Sequence, residues 1–179
     1  IPPIVDAVHH NHDVVITILD NRTTAMTGHQ PHPGSEYDGM GRPAKFIKIE
    51  DVIRGLGVKN IEIINPNKIK DAISAFKRAL DFEGPSVVVS KAPCILLELQ
   101  KEKKSGKKRS FYIINQEKCN QCKICIEQFG CLAFYSTENG TIDIDDEQCN
   151  GCGNCVEVCP NNAISSRKCN KWIVKQISY

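Results

Sequence analysis

Apolar and polar positions divide the chain into two kinds of pattern. Residues 1–98 alternate helix-type and strand-type runs. Pro2-Pro3 stand where a helix opens, since proline is favoured in a first turn. Val14 to Leu19 (VVITIL) is an unbroken apolar run of the sort that forms a buried parallel strand. A polar, Gly- and Pro-rich loop spans Asp20 to Pro43. A helix is predicted over Glu50–Leu56, stopped by Gly57. Val58–Ile64 reads as a strand ended by Asn65-Pro66. Asn67–Phe82 reads as an amphipathic helix with Ile69, Ala72, Ile73, Phe76 and Leu80 on one face. Gly84-Pro85 turns the chain into Ser86–Ser90 (SVVVS), a second buried strand. The sum is an α/β layer with a parallel sheet.

After residue 98 the pattern changes. Glu98–Ser110 (ELQKEKKSGKKRS) has no apolar periodicity and reads as a charged linker over 99–110. Residues 111–165 hold an internal repeat. FYIINQEKCNQCKIC matches TIDIDDEQCNGCGNC, and Cys119, Cys122 and Cys125 recur 30 positions later as Cys149, Cys152 and Cys155. Each half is a short strand followed by a cysteine loop, an α+β arrangement. Residues 166–179 form a basic tail.

Composition excludes some classes. The chain has 179 residues, 41% hydrophobic and 25% charged, which is ordinary for a globular protein with a real core. No apolar run is long enough to span a bilayer, so no membrane role is expected. The chain opens at Ile1-Pro2-Pro3 without an initiator methionine, and is read as a fragment whose N-terminal part is missing. Net charge is +2, yet residues 111–165 carry eight acids against two bases. Two short basic flanks surround this acidic stretch. Nucleic-acid binding, which wants a broad basic surface, is not expected.

The ten cysteines change the picture most. Eight fall between 119 and 159, so a secreted disulfide framework is disfavoured: neighbours on one turn cannot all find distant partners. The second half reads C-x2-C-x2-C-x3-C-P through Cys149, Cys152, Cys155, Cys159 and Pro160. In this bacterial ferredoxin run the fourth cysteine ligates the other cluster. Three thiolates in a tight loop wrap three corners of a cubane, and the fourth corner faces the partner half. Cluster I is therefore expected on Cys119, Cys122, Cys125 and Cys159. Cluster II is expected on Cys131, Cys149, Cys152 and Cys155. Gly151 and Gly153 let the backbone bend round the cluster and aim N–H groups at its sulfurs. The first half departs from the run, with Cys125-x5-Cys131-Leu132, which puts in question where Cys131 points. Zinc ribbons want two C-x2-C pairs rather than two triplets. Cys94 and Cys169, without ligand-spaced neighbours, read as small buried hydrophobes. Thiolates on iron imply a cytoplasmic, anaerobic setting.

The loop LDNRTTAMTGHQPHPG follows the carboxyl end of a predicted strand, where α/β folds place ligands. Together with GPSVVVSKAPC (84–94) and the cysteine repeat, ILDNRTTAMTGHQPHPG resembles the 2-oxoacid:ferredoxin oxidoreductases, nearest their indolepyruvate-type alpha subunits. The likeness covers nearly the whole chain up to Ser165. It implies that residues 1–98 are the C-terminal part of a thiamine-diphosphate-binding domain, and 111–165 a module for two [4Fe–4S] clusters. It implies Asn21 (side-chain oxygen) and Thr23 (carbonyl) as Mg²⁺ ligands, oxygen donors that suit this ion. The alternative for Asn21 is an Asx-turn cap. Thr27 and Gly28 would approach the diphosphate. His29 and His32 would face the reacting end, or be ordinary loop histidines. The resemblance places the other Mg²⁺-binding motif and the activating glutamate upstream of Ile1, so this stretch alone is expected to be inactive.

The activity implied is oxidative decarboxylation of an aryl pyruvate, with coenzyme A taking the acyl group. Electrons would pass through the two clusters to an external ferredoxin, and a beta subunit would complete the enzyme. The basic flanks either steer ferredoxin or neutralise their own acidic module. Rival readings are a related enzyme for another 2-oxoacid and a non-enzymatic iron–sulfur carrier.

Overall fold

A computed structural model describes residues 1–107 and 109–169. The chain divides into two compact units, Ile1–Cys94 and Ile95–Tyr179. The first has the order α1 (Pro2–His9), β1 (Val15–Asp20), α2 (Ile49–Gly55), β2 (Asn60–Ile64), α3 (Ile69–Asp81) and β3 (Ser86–Lys91). A short 3-10 turn, Ala25–Thr27, interrupts the loop after β1. The three strands form one sheet in the order β1-β3-β2, all parallel.

β3 is central, and its sequence explains why. Val87, Val88 and Val89 are fully buried, and successive side chains on a strand point to opposite faces. Val87 and Val89 pack with Ile4 of α1 and Ile53 of α2 on one face. Val88 packs with Ala75 and Ala79 of α3 on the other. A strand covered on both faces carries apolar residues on both, as Val87–Val89 do here, with the buried serines Ser86 and Ser90 at either side. At the end of β3, Lys91 meets Glu50 of α2 at 2.5 Å. Burial works against the Glu50 carboxylate, yet the hydrogen bond from Lys91 leaves its pKa below the usual value.

Two expectations shift here. Among the described residues β1 pairs with β3 alone, and Leu19 is 78% exposed. The apolar run VVITIL reads like a central strand because pattern alone does not report strand order. In α3 the face turned to the sheet is Ala72, Ala75, Phe76 and Ala79, while Ile73 (51%) and Leu80 (70%) are exposed. The four sheet-facing residues stand at i, i+3, i+4 and i+7, and the three alanines among them let the helix lie close to β2 and β3.

The second unit runs α4 (Ile95–Lys104), β4 (Arg109–Ile114), α5 (Ile124–Glu127), β5 (Phe134–Ser136), β6 (Ile142–Ile144), α6 (Asn154–Val158) and β7 (Ile164–Cys169). β4 pairs with β7, and β5 with β6, both antiparallel. The first half of the span expected as a charged linker, up to Lys104, is helical. Glu98 lies in the first turn of α4 and Lys101, Lys103 and Lys104 in its last, which complements the helix dipole. Glu98 and Glu102 pair with Lys101 and Lys107. The 111–165 module also extends: β7 runs through Cys169, into the stretch expected as tail. Phe134, Ile142, Cys155 and Ile164 form its core, with Tyr112, Cys125, Cys131 and Cys159 packed against it. The side chain of Cys169 and the tail from 170 onward lie outside the described residues.

Candidate functional sites in the two units

The loop after β1 is fixed to the sheet at its base. The β1–β3 ladder continues past the strands, Ala92 N–H donating to Asp20 C=O (3.1 Å) and Cys94 N–H to Asn21 C=O (3.0 Å). Asn21 thus stands at the carboxyl end of β1. Its Oδ1 accepts the Thr23 N–H at 3.1 Å, an Asx turn. An amide oxygen has a second lone pair, so that turn leaves Oδ1 able to meet a cation. Thr23 is buried, its Oγ1 donating to Gln30 C=O at 3.3 Å. Asp20 steers the next residue, accepting the Arg22 N–H at 3.2 Å and facing Arg22 Nε at 3.8 Å. The Arg22 guanidinium lies 4.8 Å from the centre of the Phe46 ring.

The far side of the loop is tied by Gln30. Thr24 N–H donates to Gln30 C=O at 2.9 Å, Thr27 Oγ1 donates to Gln30 Oε1 at 2.7 Å, and Gln30 Nε2 donates to Thr27 C=O. Thr27 and Gly28 sit exposed at the tip, and Gly28 takes φ +106°, a left-handed conformation that glycine adopts without strain. The sequence pointed to Asn21, Thr23, Thr27 and Gly28; it did not single out Gln30, whose role appears only once the loop closes on itself. His32 is engaged locally, its Nδ1 accepting the Gly34 N–H at 3.0 Å. His29 has φ +62° and its Nε2 lies 3.6 Å from Cys94 Sγ. Cys94 is therefore half-buried beside the loop, not the enclosed hydrophobe expected.

In the second unit, Cys119, Cys122, Cys125 and Cys159 line one cavity, together with Ile114, Ile142, Pro160 and Ile164. This brings three residues of the first loop to the fourth cysteine of the second half. Burial pushes the Cys125 thiol up, and the neighbouring Cys119 and Cys122 add to it. The other four cysteines also act on one another. The Cys155 thiol is pushed up to about 12 by burial, then by Cys152, Cys149 and Cys131. Mutually repelling thiolates in an apolar setting need cationic metal to be stable together. Among the described residues no three or more His, Cys, Asp or Glu side chains close round a single ion. One ion would draw its sulfurs to about 2.3 Å from a common point; a four-iron cube holds its thiolates apart, one at each corner. Four thiols lining one cavity are the kind of donor set such a cube takes.

Both loops need left-handed backbone at the same two places. Gln121 (φ +57°) and Lys123 (φ +59°) hold it in the first loop, Gly151 (φ +75°) and Gly153 (φ +85°) in the second. The second loop is pressed by β4. A Cβ on Gly151 would stand 2.3 Å from Ser110 O, and one on Gly153 2.7 Å from Tyr112 Oη.

Residues 1–90 match the family described as thiamine pyrophosphate enzyme, C-terminal TPP binding domain. The chain belongs to that family. Residues 142–165, with four of the cysteines, match the 4Fe-4S binding domain. In this TPP-domain chain, similarity to curated proteins runs through both units. It is 39% identical over 170 residues to indolepyruvate oxidoreductase subunit IorA of Archaeoglobus fulgidus, covering 95% of this chain and 27% of that protein. Against IorA of Methanothermobacter marburgensis it is 43% identical over 165 residues, covering 92% of this chain and 25% of the relative. Against IorA of Pyrococcus horikoshii it is 40% identical over 164 residues, covering 91% and 25%. The chain thus spans about a quarter of the length of these relatives. Among the described residues no helix is long and apolar enough to cross a membrane.

Proposed function

We propose that this chain is part of a thiamine-diphosphate-dependent 2-oxoacid:ferredoxin oxidoreductase of the indolepyruvate type, and that its second unit holds two [4Fe–4S] clusters. The observation that carries this reading is the union, on one chain, of a TPP-binding domain with cysteines from both repeat halves around one cavity. Cys119, Cys122, Cys125 and Cys159 hold one cluster; Cys131, Cys149, Cys152 and Cys155 hold the other. Asn21 Oδ1 and the Thr23 carbonyl hold Mg²⁺, and Thr27 and Gly28 approach the diphosphate. Gln30 keeps the loop closed, so that these groups stay at the carboxyl edge of the sheet. Thiamine diphosphate, when bound, supplies the electron sink for decarboxylation. Two one-electron carriers suit a two-electron oxidation whose acceptor is a ferredoxin. The acyl group goes to coenzyme A, and a beta subunit completes the enzyme.

The test is made on the full-length protein with its partner subunit, prepared anaerobically. Iron and sulfide analysis should give about eight irons for the two four-iron clusters, with two signals by EPR on reduction. Thiamine diphosphate should bind, and indolepyruvate should outcompete pyruvate and branched-chain 2-oxoacids as reductant of ferredoxin. Zinc in place of iron overturns the cluster assignment. Iron without thiamine diphosphate binding leaves a simple electron carrier. Preference for another 2-oxoacid moves the chain to a different branch of the same superfamily.

A further inference from the structure

The two repeat halves superpose in sequence with an offset of 30, which sets Tyr112 of β4 against Ile142 of β6. The two residues do the same structural job on different clusters. Ile142 is 1% exposed and lines the cavity shared by Cys119, Cys122, Cys125 and Cys159. Tyr112 lies against the loop of Cys149, Cys152 and Cys155. Its Oη is the atom nearest to the place of a Gly153 Cβ, at 2.7 Å, with Cζ at 3.3 Å. The phenol feels that loop: burial, then Cys155, Cys152 and Cys149, raise its pKa above the ordinary value. A tyrosine phenol ordinarily titrates at about pH 10, so this one carries its proton at neutral pH. Among the described residues no hydrogen bond engages the hydroxyl. A half-buried O–H beside three thiolates, with no protein acceptor, has cluster sulfur as its natural acceptor. Isoleucine at the matching place offers the other cluster no such donor.

Hydrogen bonds to cluster sulfurs are among the factors that set the potential of iron–sulfur centres. A donor stabilises the reduced cluster more, because that state carries more negative charge. We propose that Tyr112 sets the potential of the cluster held by Cys131, Cys149, Cys152 and Cys155, its phenol O–H donating to a sulfur there. The two clusters are thereby made unequal by one side chain at one repeat position. The inference rests on the two-cluster reading above.

The experiment uses the assembled oxidoreductase, loaded with iron and sulfide, and follows both clusters by EPR-monitored redox titration. In Tyr112→Phe, one cluster's reduction equilibrium should shift three- to tenfold toward the oxidised form, tenfold being ~59 mV for one electron. The other cluster should not move. The affected signal should be the one that disappears in Cys152→Ala. Electron–nuclear double resonance of the reduced wild type should show a proton that exchanges in D2O and is missing in Tyr112→Phe. Unchanged potentials, or equal shifts of both clusters, overturn the proposal. So does a shift in Tyr112→Leu without one in Tyr112→Phe, which would assign the effect to the ring. Failure of the underlying reading is seen separately, as an iron content or signal count that does not fit two clusters in the wild type.

Discussion

The two cysteine loops share a spacing and a backbone path, yet differ in the residues that hold the path. At the two left-handed positions the first loop uses Gln121 and Lys123, and the second uses Gly151 and Gly153. Both side chains of the first loop are exposed. The second loop is covered by β4, where Ser110 O and Tyr112 Oη occupy the space a Cβ would need. Left-handed backbone costs an ordinary residue roughly 1–2 kcal/mol, which a loop can bear. An added steric collision with backbone is a heavier burden. Glycine is thus demanded in the second loop by what packs on it, not by the turn itself.

The strongest way to break the pairing of the halves is through their fourth cysteines. Cys159→Ala should remove the cluster of the first loop, although Cys159 belongs to the second half by sequence. Cys131→Ala should remove the cluster of the second loop. The expected result is loss of about half of the iron in each variant, with different EPR signals surviving. If each substitution instead destroys the cluster of its own half, the crossing of ligands is wrong.

Next comes the packing contrast. Gly151→Ala places a Cβ 2.3 Å from a backbone oxygen at φ +75°, so strain and overpacking combine to roughly 2–5 kcal/mol of lost stability. Gln121→Ala changes only an exposed side chain, and should stay within about 0.5 kcal/mol. Anaerobic denaturant unfolding of the loaded protein, followed by cluster absorbance, measures both. Equal losses would show that the turn, not β4, demands glycine. Gly153→Ala is milder, because its nearest neighbour is the Tyr112 hydroxyl at 2.7 Å, and should cost roughly 1–3 kcal/mol. Tyr112→Phe removes that neighbour. The double variant should therefore recover part of the loss, a coupling that a double-mutant cycle reads directly.

How much of this was legible in the sequence depends on what each residue reports. The repeat is written in cysteine spacing, and Cys119, Cys122, Cys125 and Cys159 line one cavity. Ser86–Ser90 announced a buried strand because its three consecutive valines put apolar side chains on both faces. β1 is a parallel strand as its apolar run predicts, although Leu19 is exposed among the described residues. In α3 the pattern predicts a face of Ile69, Ala72, Ile73, Phe76 and Leu80; Ala72 and Phe76 do meet the sheet, beside Ala75 and Ala79, while Ile73 and Leu80 are exposed. Gln30 and Tyr112 were invisible as site residues. Each matters through a neighbour brought close only by folding: Thr27 for the first and Gly153 for the second.

The smallest effect is the most discriminating for the comparison. Gln121→Gly and Lys123→Gly make the first loop resemble the second. Each relieves a left-handed residue of roughly 1–2 kcal/mol and concedes roughly 0.5–1 kcal/mol in unfolded-chain entropy. Each should therefore raise stability by about 0.5–1 kcal/mol, read as a higher unfolding midpoint at unchanged slope. Lys123 also lines the cavity of the first cluster, so its removal takes a positive charge from beside that centre. If Lys123→Gly stabilises the fold while weakening cluster retention, and Gln121→Gly stabilises both, then the lysine is kept for its charge. Equal behaviour would mean that both side chains are tolerated only because nothing presses on the first loop.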